Sequence, residues 1–191
     1  TLKTEVAERL YRGLLPRAQI RFFPERWQDR AEELRSCHVI LGCVDTFMAR
    51  AELETFCRRF LIAYIDIGMD VHGASPPVIS GQVILSLPGG PCMRCMGFIS
   101  EDRLSQEGAR YGQVGGRAQV VWPNAVLAST AVGLTVEMLS GWTGNSKSFD
   151  YLVYDGNRMT IQRPAWFESL CQSECEHFPG TAVGKLKNLL L

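Results

Sequence analysis

A short aliphatic run that leads into an acidic turn and then a helical pattern is the feature that most constrains this fold. The spacing predicts a buried strand over residues 38–41. Cys43, Val44 and Asp45 follow at its carboxyl end, and a helix is predicted over residues 47–60 with Asp45 or Thr46 as its N-cap. Because ligands bind at this edge of open α/β sheets, the turn is the candidate site.

Helix and strand patterns alternate through the first third of the chain. Apolar residues at every fourth position predict a helix over residues 1–14, which Pro16 ends. The strand over residues 38–41 is preceded by a short strand over residues 19–23 and a helix over residues 26–35. A further strand is predicted over residues 60–67. This alternation predicts an α/β fold with a mostly parallel sheet and crossover helices. A turn containing Asp70 is expected after the last of these strands, at the edge where Asp45 lies.

The rest of the chain predicts one further strand, a helix and a hairpin. Residues 78–87 are predicted to form a strand that we expect to be antiparallel. Residues 100–117 are polar and glycine-rich, which predicts a mobile segment rather than a packed element, here called the crossing segment. Residues 125–139 are apolar on nearly every face and predict a buried helix. Two strands around the turn at residues 155–158 predict an antiparallel hairpin. Nothing resembles a linker, so we expect a single domain over residues 1–191.

Charge and hydropathy exclude several classes of protein. Twenty basic residues balance twenty acidic ones, so no net field attracts nucleic acid or an anionic membrane. No apolar run approaches the roughly 18 residues of a membrane span, and the first residues lack the pattern of a signal peptide. We therefore expect a soluble, cytoplasmic protein without a membrane partner.

Two closely spaced cysteine pairs predict a structural zinc site. Cys92 and Cys95 are separated by two residues, and Cys171 and Cys175 by three. Such pairs bring their sulfurs to one side of a turn, and two pairs complete a tetrahedral site with no open position. His177 is a substitute ligand. The alternatives are two unrelated reduced pairs or a catalytic dithiol.

Asp45 and Arg50 are the candidate groups at the turn after the site strand. A carboxylate at a strand end can bind Mg²⁺ or position a nucleotide, although an aspartate here is also a common helix cap. Arg50 follows on the first turns of the predicted helix, and its spacing favours a side chain that points to solvent. The chain contains no glycine-rich phosphate-binding motif.

Taken in order, these motifs resemble one enzyme family. They are an Asp-Thr-Phe-x-x-Arg turn after a buried strand, Gly-Gln-Val before Gly-Pro-Cys-x-x-Cys, a long apolar helix, a Tyr-Asp-Gly hairpin and a final cysteine pair. Together, over residues 1–178, they resemble the ubiquitin-activating-like and sulfur-carrier-protein adenylyltransferases (ThiF-, MoeB- and HesA-like proteins). The resemblance implies a Rossmann-like fold, ATP and Mg²⁺ as cofactors, a four-cysteine zinc site and a homodimer. The implied reaction adenylates the C-terminal carboxylate of a ubiquitin-like or sulfur-carrier protein with a Gly-Gly tail, or of a peptide.

The resemblance also assigns roles to single residues. Asp45 looks like the family's magnesium and nucleotide aspartate, and Lys3 like its ATP-phosphate lysine. Arg50 matches the arginine of the family's Asp-Asn-x-x-x-Arg motif, in which Thr46 replaces the asparagine. Asp45 and Arg50 are therefore the predicted catalytic residues. Lys3, Asp45 and its two preceding neighbours, Cys43 and Val44, are the predicted nucleotide-binding residues.

Two departures from the family shape the expected activity. The family's glycine-rich phosphate loop lies before the lysine, and this region is not in the sequence. The chain therefore resembles the later two-thirds of an adenylating domain and is expected to be inactive alone. No cysteine lies between Cys95 and Cys171, where members that form a thioester or persulfide keep theirs, so we expect adenylation without a thioester.

Three other functions are compatible with the same residues. The first is an inactive, zinc-stabilised scaffold subunit, which an absent or altered phosphate loop would favour. The second is the family's tRNA-modifying dehydratase branch, against which the balanced charge argues. The third is a dinucleotide-dependent oxidoreductase, which the two cysteine pairs disfavour.

Overall fold

The computed structural model describes residues 2–73, 75–109, 120–144, 149–170 and 175–180, in two compact units that divide after Cys37. The first unit contains helix α1 (Lys3–Leu14), a 3-10 turn (Trp27–Arg30) and the short helix α2 (Ala31–Leu34). Both helices predicted for this region are confirmed, the second beginning as the 3-10 turn.

The strand predicted over residues 19–23 is wrong, because these residues are irregular in structure. A strand requires a neighbour that pairs with its backbone groups, and the described part of the first unit is otherwise helix and turn. The ring of Phe23 instead lies beneath the guanidinium groups of Arg21 and Arg30, at 5.1 and 5.0 Å from its centroid. Cation–π contacts therefore cover the aromatic side chain that suggested a strand.

The second unit is built on one five-stranded sheet with the strand order β1-β2-β3-β4-β5. Its strands are β1 (Val39–Gly42), β2 (Ala63–His72), β3 (Val78–Ser86), β4 (Phe149–Asp155) and β5 (Thr160–Gln162). Its helices are α3 (Phe47–Arg59), α4 (Glu101–Ala109), α5 (Val121–Ser140) and a 3-10 helix (Ala165–Ser169).

The α/β class, the crossover and the hairpin are confirmed. β1 and β2 are parallel and are joined by α3, while the pairs β2–β3, β3–β4 and β4–β5 are antiparallel. The parallel share of the described sheet is thus smaller than the sequence predicts. The reason is the connection from β2 to β3, which contains no helix and is too short for a parallel crossover.

β2 is longer than predicted and carries its acidic residues inside the sheet. It pairs with β3 from Tyr64, opposite Ser86, to His72, opposite Val78. The turn expected around Asp70 therefore begins only after His72, and Asp66 and Asp70 lie within the strand. The extension is explained by the antiparallel partner, which continues the ladder of hydrogen bonds past Gly68.

The two faces of the sheet are covered by different helices. On the face beneath α5, six buried side chains form the core: Ile65, Val83, Leu85, Leu127, Ala131 and Tyr154. Full burial of each large aliphatic side chain contributes about 1.5–3 kcal/mol. Because side chains alternate along a strand, the neighbours Tyr64 and Asp66 face the other side of the sheet, where α3 lies.

Helix α5 is confirmed, but it is buried on one face only. Of its described side chains, Pro123, Leu127 and Ala131 are buried, and the last two pack against the sheet. Valines and a leucine on other faces are exposed in the single chain. Gly141 ends the helix in the left-handed conformation that glycine adopts without strain, with φ at 60°.

The crossing segment predicted over residues 100–117 begins as a helix. Its first part is α4, which contacts α3, whereas residues 110–117 lie outside the described residues. Acidic residues in the first turn favour this helix electrostatically. Among the described helices, none has the length and apolar character needed to cross a bilayer.

Candidate functional site

The turn between β1 and α3 places three predicted nucleotide-binding residues at the carboxyl end of β1. Thr46 is the N-cap of α3, because its Oγ1 accepts a hydrogen bond from the backbone amide of Ala49 at 3.1 Å. Of the two predicted caps, Thr46 therefore takes the role. The carboxylate of Asp45 is exposed, next to half-buried Val44 and exposed Cys43.

Lys3, the predicted phosphate lysine, lies in the first compact unit. It is the first residue of α1, and its side chain is exposed. The other predicted site residues all belong to the second unit. The phosphate-binding role of Lys3 therefore stays a prediction.

Arg50 points into the protein, so the expectation of a solvent-facing side chain is wrong. Its side chain is only 9% exposed, and its Nη1 forms an ion pair and hydrogen bond with the fully buried carboxylate of Asp66. Nη1 also donates to the carbonyl oxygen of Ile67 at 3.3 Å, and the guanidinium lies 5.9 Å from the ring centroid of Phe98. The buried acidic partner on β2 thus offsets part of the cost of burying the arginine.

Asp66 is the centre of this buried polar network. Its oxygens accept hydrogen bonds from the Tyr64 hydroxyl at 3.1 Å and the Gln82 amide at 3.3 Å. Burial raises the pKa of the Asp66 carboxyl, and the positive charge of Arg50 opposes that rise. A Cβ at Gly68 would lie 2.3 Å from Gln82 Nε2 and 2.7 Å from Arg50 Nη2, so the network requires glycine at this position.

A second buried network joins α3 to the loop that enters the cysteine cluster. Arg58 and Glu54 are each 1% exposed. The Nη1 of Arg58 donates to the carbonyl of Gly90 at 2.8 Å, and its Nη2 donates to that of Pro91 at 2.7 Å. Glu54 accepts from the backbone amide of Met93 at 2.9 Å. Arg58 therefore holds the loop immediately before the first cysteine pair, and Glu54 holds the turn between the two cysteines.

The cysteine cluster brings together three of the predicted metal ligands and one histidine. Cys95 Sγ lies 3.6 Å from the sulfurs of both Cys92 and Cys175. His177 Nδ1 lies 3.5 Å from Cys92 Sγ and 3.4 Å from Cys95 Sγ. A tetrahedral zinc with Zn–S bonds of about 2.3 Å separates its ligand atoms by roughly 3.8 Å, so the four donors fit that ion.

Cys171, the remaining predicted ligand, lies outside the described residues. His177, which the sequence offers as a substitute, occupies the fourth corner of the cluster among the residues that are described. The role of Cys171 as a ligand therefore stays a prediction.

The two buried networks are the features that sequence reasoning missed. Arg50, Glu54 and Arg58 recur at four-residue spacing on α3, so they share one face of the helix. That face also contains buried Leu53 and Cys57. Charged residues within an otherwise apolar face were the available signal, because buried charges require partners elsewhere in the fold.

Comparison with known proteins identifies a family and solved structures with a similar fold. The ThiF family model matches residues 1–176. E. coli MccB with ATP shares 15% identity and a TM-score of 0.61, over 85% of this chain and 47% of that one. E. coli MccB with succinimide shares 16% identity and a TM-score of 0.62, over 91% of this chain and 51% of that one. At this identity the likeness concerns the fold, and the chain spans about half the length of MccB. No curated protein sequence matches the chain.

Proposed function

This chain belongs to the ThiF family, and from that premise we propose that the complete protein is an ATP- and Mg²⁺-dependent adenylyltransferase that activates a C-terminal carboxylate. The turn after β1 is the observation that carries the proposal. Thr46 caps α3 there and leaves the carboxylate of Asp45 exposed at the ligand-binding edge of the sheet. The E. coli MccB structure with ATP supports a nucleotide at this fold.

In the proposed reaction, an oxygen of the substrate carboxylate attacks the α-phosphorus of ATP. A P–O bond to the acyl group forms, the bond to the β-phosphate oxygen breaks, and pyrophosphate leaves. We assign neutralisation of phosphate charge to Lys3 and nucleotide contact to Cys43 and Val44. Arg50 is assigned a catalytic role at the start of α3, where its ion pair with Asp66 holds the helix beside the turn. The protein then acts mainly by positioning and electrostatics.

Asp45 is the residue we assign to Mg²⁺. Mg²⁺ in nucleotide sites is held by one or two carboxylates together with phosphate oxygens and water. One exposed carboxylate, not used as a helix cap, fits this requirement. When bound, Mg²⁺ neutralises charge on the phosphates.

We assign a structural zinc ion to the cysteine cluster. Cys92, Cys95 and Cys175 supply three thiolates, and the fourth ligand is His177 or Cys171. Four protein ligands close the coordination shell, so the ion has no position for substrate. Its contribution is to hold residues 92–95 and 175–177 together.

The proposed substrate is a ubiquitin-like or sulfur-carrier protein with a Gly-Gly tail, or a peptide. The chain has no cysteine between Cys95 and Cys171. The activated carboxylate therefore passes to its acceptor without a thioester on this segment. A reaction that uses ATP also fits the cytoplasmic location predicted from the sequence.

We further propose that the protein is a homodimer and that α5 lies in the interface. Val132, Val136 and Leu139 are 53%, 50% and 66% exposed in the single chain, and they follow one another on one side of the helix. A contiguous exposed apolar surface of this kind marks a contact with another protein.

Replacement of both Val132 and Val136 with lysine is expected to raise the dimer dissociation constant at least about a hundredfold, because burying an unpaired ammonium is costly. Sedimentation velocity of the full-length protein measures the change. Val78→Lys, which charges an exposed valine of β3, is the matched control and should leave the dimer intact. A wild-type monomer at micromolar concentration would refute the proposal.

ATP–pyrophosphate exchange on the full-length protein tests the reaction. Exchange is expected to require a carrier or peptide with a free C-terminal carboxylate. Asp45→Ala should reduce exchange at least about a hundredfold, because metal-assisted charge stabilisation contributes several kcal/mol. Asp102→Ala removes an exposed carboxylate from α4 and should retain full activity.

Two outcomes would contradict the proposal. Exchange that persists in Asp45→Ala would remove this residue from the site. If a folded, metal-loaded full-length protein shows no exchange with any Gly-Gly tail or with any peptide that has a free C-terminal carboxylate, the protein is a scaffold subunit instead.

A further inference from the structure

Helix α4 places a carboxylate on the first turn of α3, immediately after the candidate site. Glu107 Oε1 accepts a hydrogen bond from the backbone amide of Phe47 at 2.9 Å. Its Oε2 accepts from the amide of Met48 at 3.0 Å. One side chain thus binds the first two amides of α3 with both of its oxygens.

Arg103, one helical turn before Glu107, forms a second link between α4 and the same region. Its Nη1 donates to the carbonyl of Phe98 at 2.7 Å. Its guanidinium lies 5.5 Å from the ring centroid of Phe47 and 5.7 Å from that of Phe98. The two rings are themselves 5.5 Å apart. Phe47, the first residue of α3, is therefore held through both its amide and its ring.

These contacts complete the hydrogen bonding of the first turn of α3. The Ala49 amide donates to the Thr46 side chain, and the Arg50 amide donates to the Thr46 carbonyl at 3.1 Å. Glu107 satisfies the two amides that precede them, which a helix otherwise leaves without partners. While Glu107 is bound, these two amides do not serve a phosphate. The first turn of α3, which begins two residues after Asp45, is therefore held by Thr46 and by Glu107 together.

We propose that Glu107 is a positioning residue that orients the Asp45 carboxylate toward the metal-bound nucleotide. This inference rests on the proposed function, in which the Asp45 carboxylate binds Mg²⁺ and must therefore point toward the ion. Glu107 does not touch the substrate. It acts through the backbone of Phe47 and Met48, which fixes the turn that carries Asp45.

The test uses the full-length protein with Glu107→Ala, Glu107→Gln and the α4 control Asp102→Ala. Hydrogen exchange of the amides in residues 47–49 should be about tenfold faster in Glu107→Ala, as expected for a lost helix cap. The Kd for MgATP should rise about five- to tenfold, whereas the Kd for ATP in the presence of a chelator should stay unchanged. Glu107→Gln keeps one acceptor oxygen. Its exchange rate at residues 47–49 and its Kd for MgATP should lie between those of the wild type and of Glu107→Ala.

The comparison of MgATP with metal-free ATP separates positioning from a general structural effect. A general effect would weaken both forms equally, and that result would overturn the inference. Equal MgATP affinity in Glu107→Ala and Asp102→Ala, with faster exchange at residues 47–49, would also overturn it and leave the proposed function standing. A wild-type protein that does not bind MgATP would overturn the proposed function and this inference with it.

Discussion

Removal of the zinc ion that we propose for the cluster of Cys92, Cys95, Cys175 and His177 is expected to lower the free energy of unfolding by at least about 4 kcal/mol. This is the stabilisation from a ligand present at about a thousand times its Kd. The four donor atoms lie within 4.8 Å of one another. The unfolded chain does not hold them together, so the binding energy of the ion stabilises the folded state. Urea unfolding with and without a strong chelator measures the loss.

Metal content and two ligand variants sharpen this test. Elemental analysis should find one zinc ion per chain, and excess zinc should restore stability after chelation. His177→Ala should lose zinc while Cys171→Ser retains it if the histidine is the fourth ligand, and the reverse result assigns Cys171. Equal stability of the chelated and zinc-loaded proteins would refute a structural role for the metal.

The local part of the site could be predicted from the sequence. The strand, the turn and the helix around Asp45 follow from an aliphatic run, a capping threonine and a helical pattern. Each of these signals depends on neighbours within a few residues. The cysteine pairs are similarly local, because ligands two residues apart share a turn.

The long-range part of the site could not be predicted in the same way. The orientation of Arg50 on α3 depends on Asp66 on strand β2. The burial of Asp66 follows in turn from the register of the sheet. Spacing within α3 gives the helical face but not what lies against it. Glu107 is further still from its partners, about sixty residues along the chain. The failure at residues 19–23 has the same origin, because whether a segment forms a strand depends on a distant partner.

Replacement of Arg50 with methionine is expected to lower the free energy of unfolding by about 3–5 kcal/mol, because it leaves the carboxylate of Asp66 buried without its cation. Asp66 is fully buried, so water cannot take the place of the guanidinium. Chemical denaturation measures the change. Arg59→Met, at an exposed position of the same helix, should change stability by less than about 0.5 kcal/mol.

A double variant distinguishes the unpaired charge from lost side-chain contacts. Asp66→Asn removes the charge and keeps a group that can hydrogen-bond with Tyr64 and Gln82. In Arg50→Met with Asp66→Asn, most of the stability lost in the single variant should return, because neither buried group is then charged. If the double variant is as unstable as Arg50→Met, the loss arises from the contacts of Arg50 with Ile67 and Phe98.

The pH dependence of Arg50→Met provides an independent test. Burial already raises the pKa of Asp66 in the folded protein, and Arg50 opposes that rise, so removing Arg50 raises the pKa further. The folded variant then holds a proton that the unfolded chain releases, and stability falls as pH rises between the unfolded and folded pKa values. The loss of unfolding free energy in Arg50→Met relative to wild type should therefore be larger at about pH 8 than at about pH 5. The double variant should lack this pH dependence. An equal loss at both pH values would mean that Asp66 does not carry an unpaired charge in the variant.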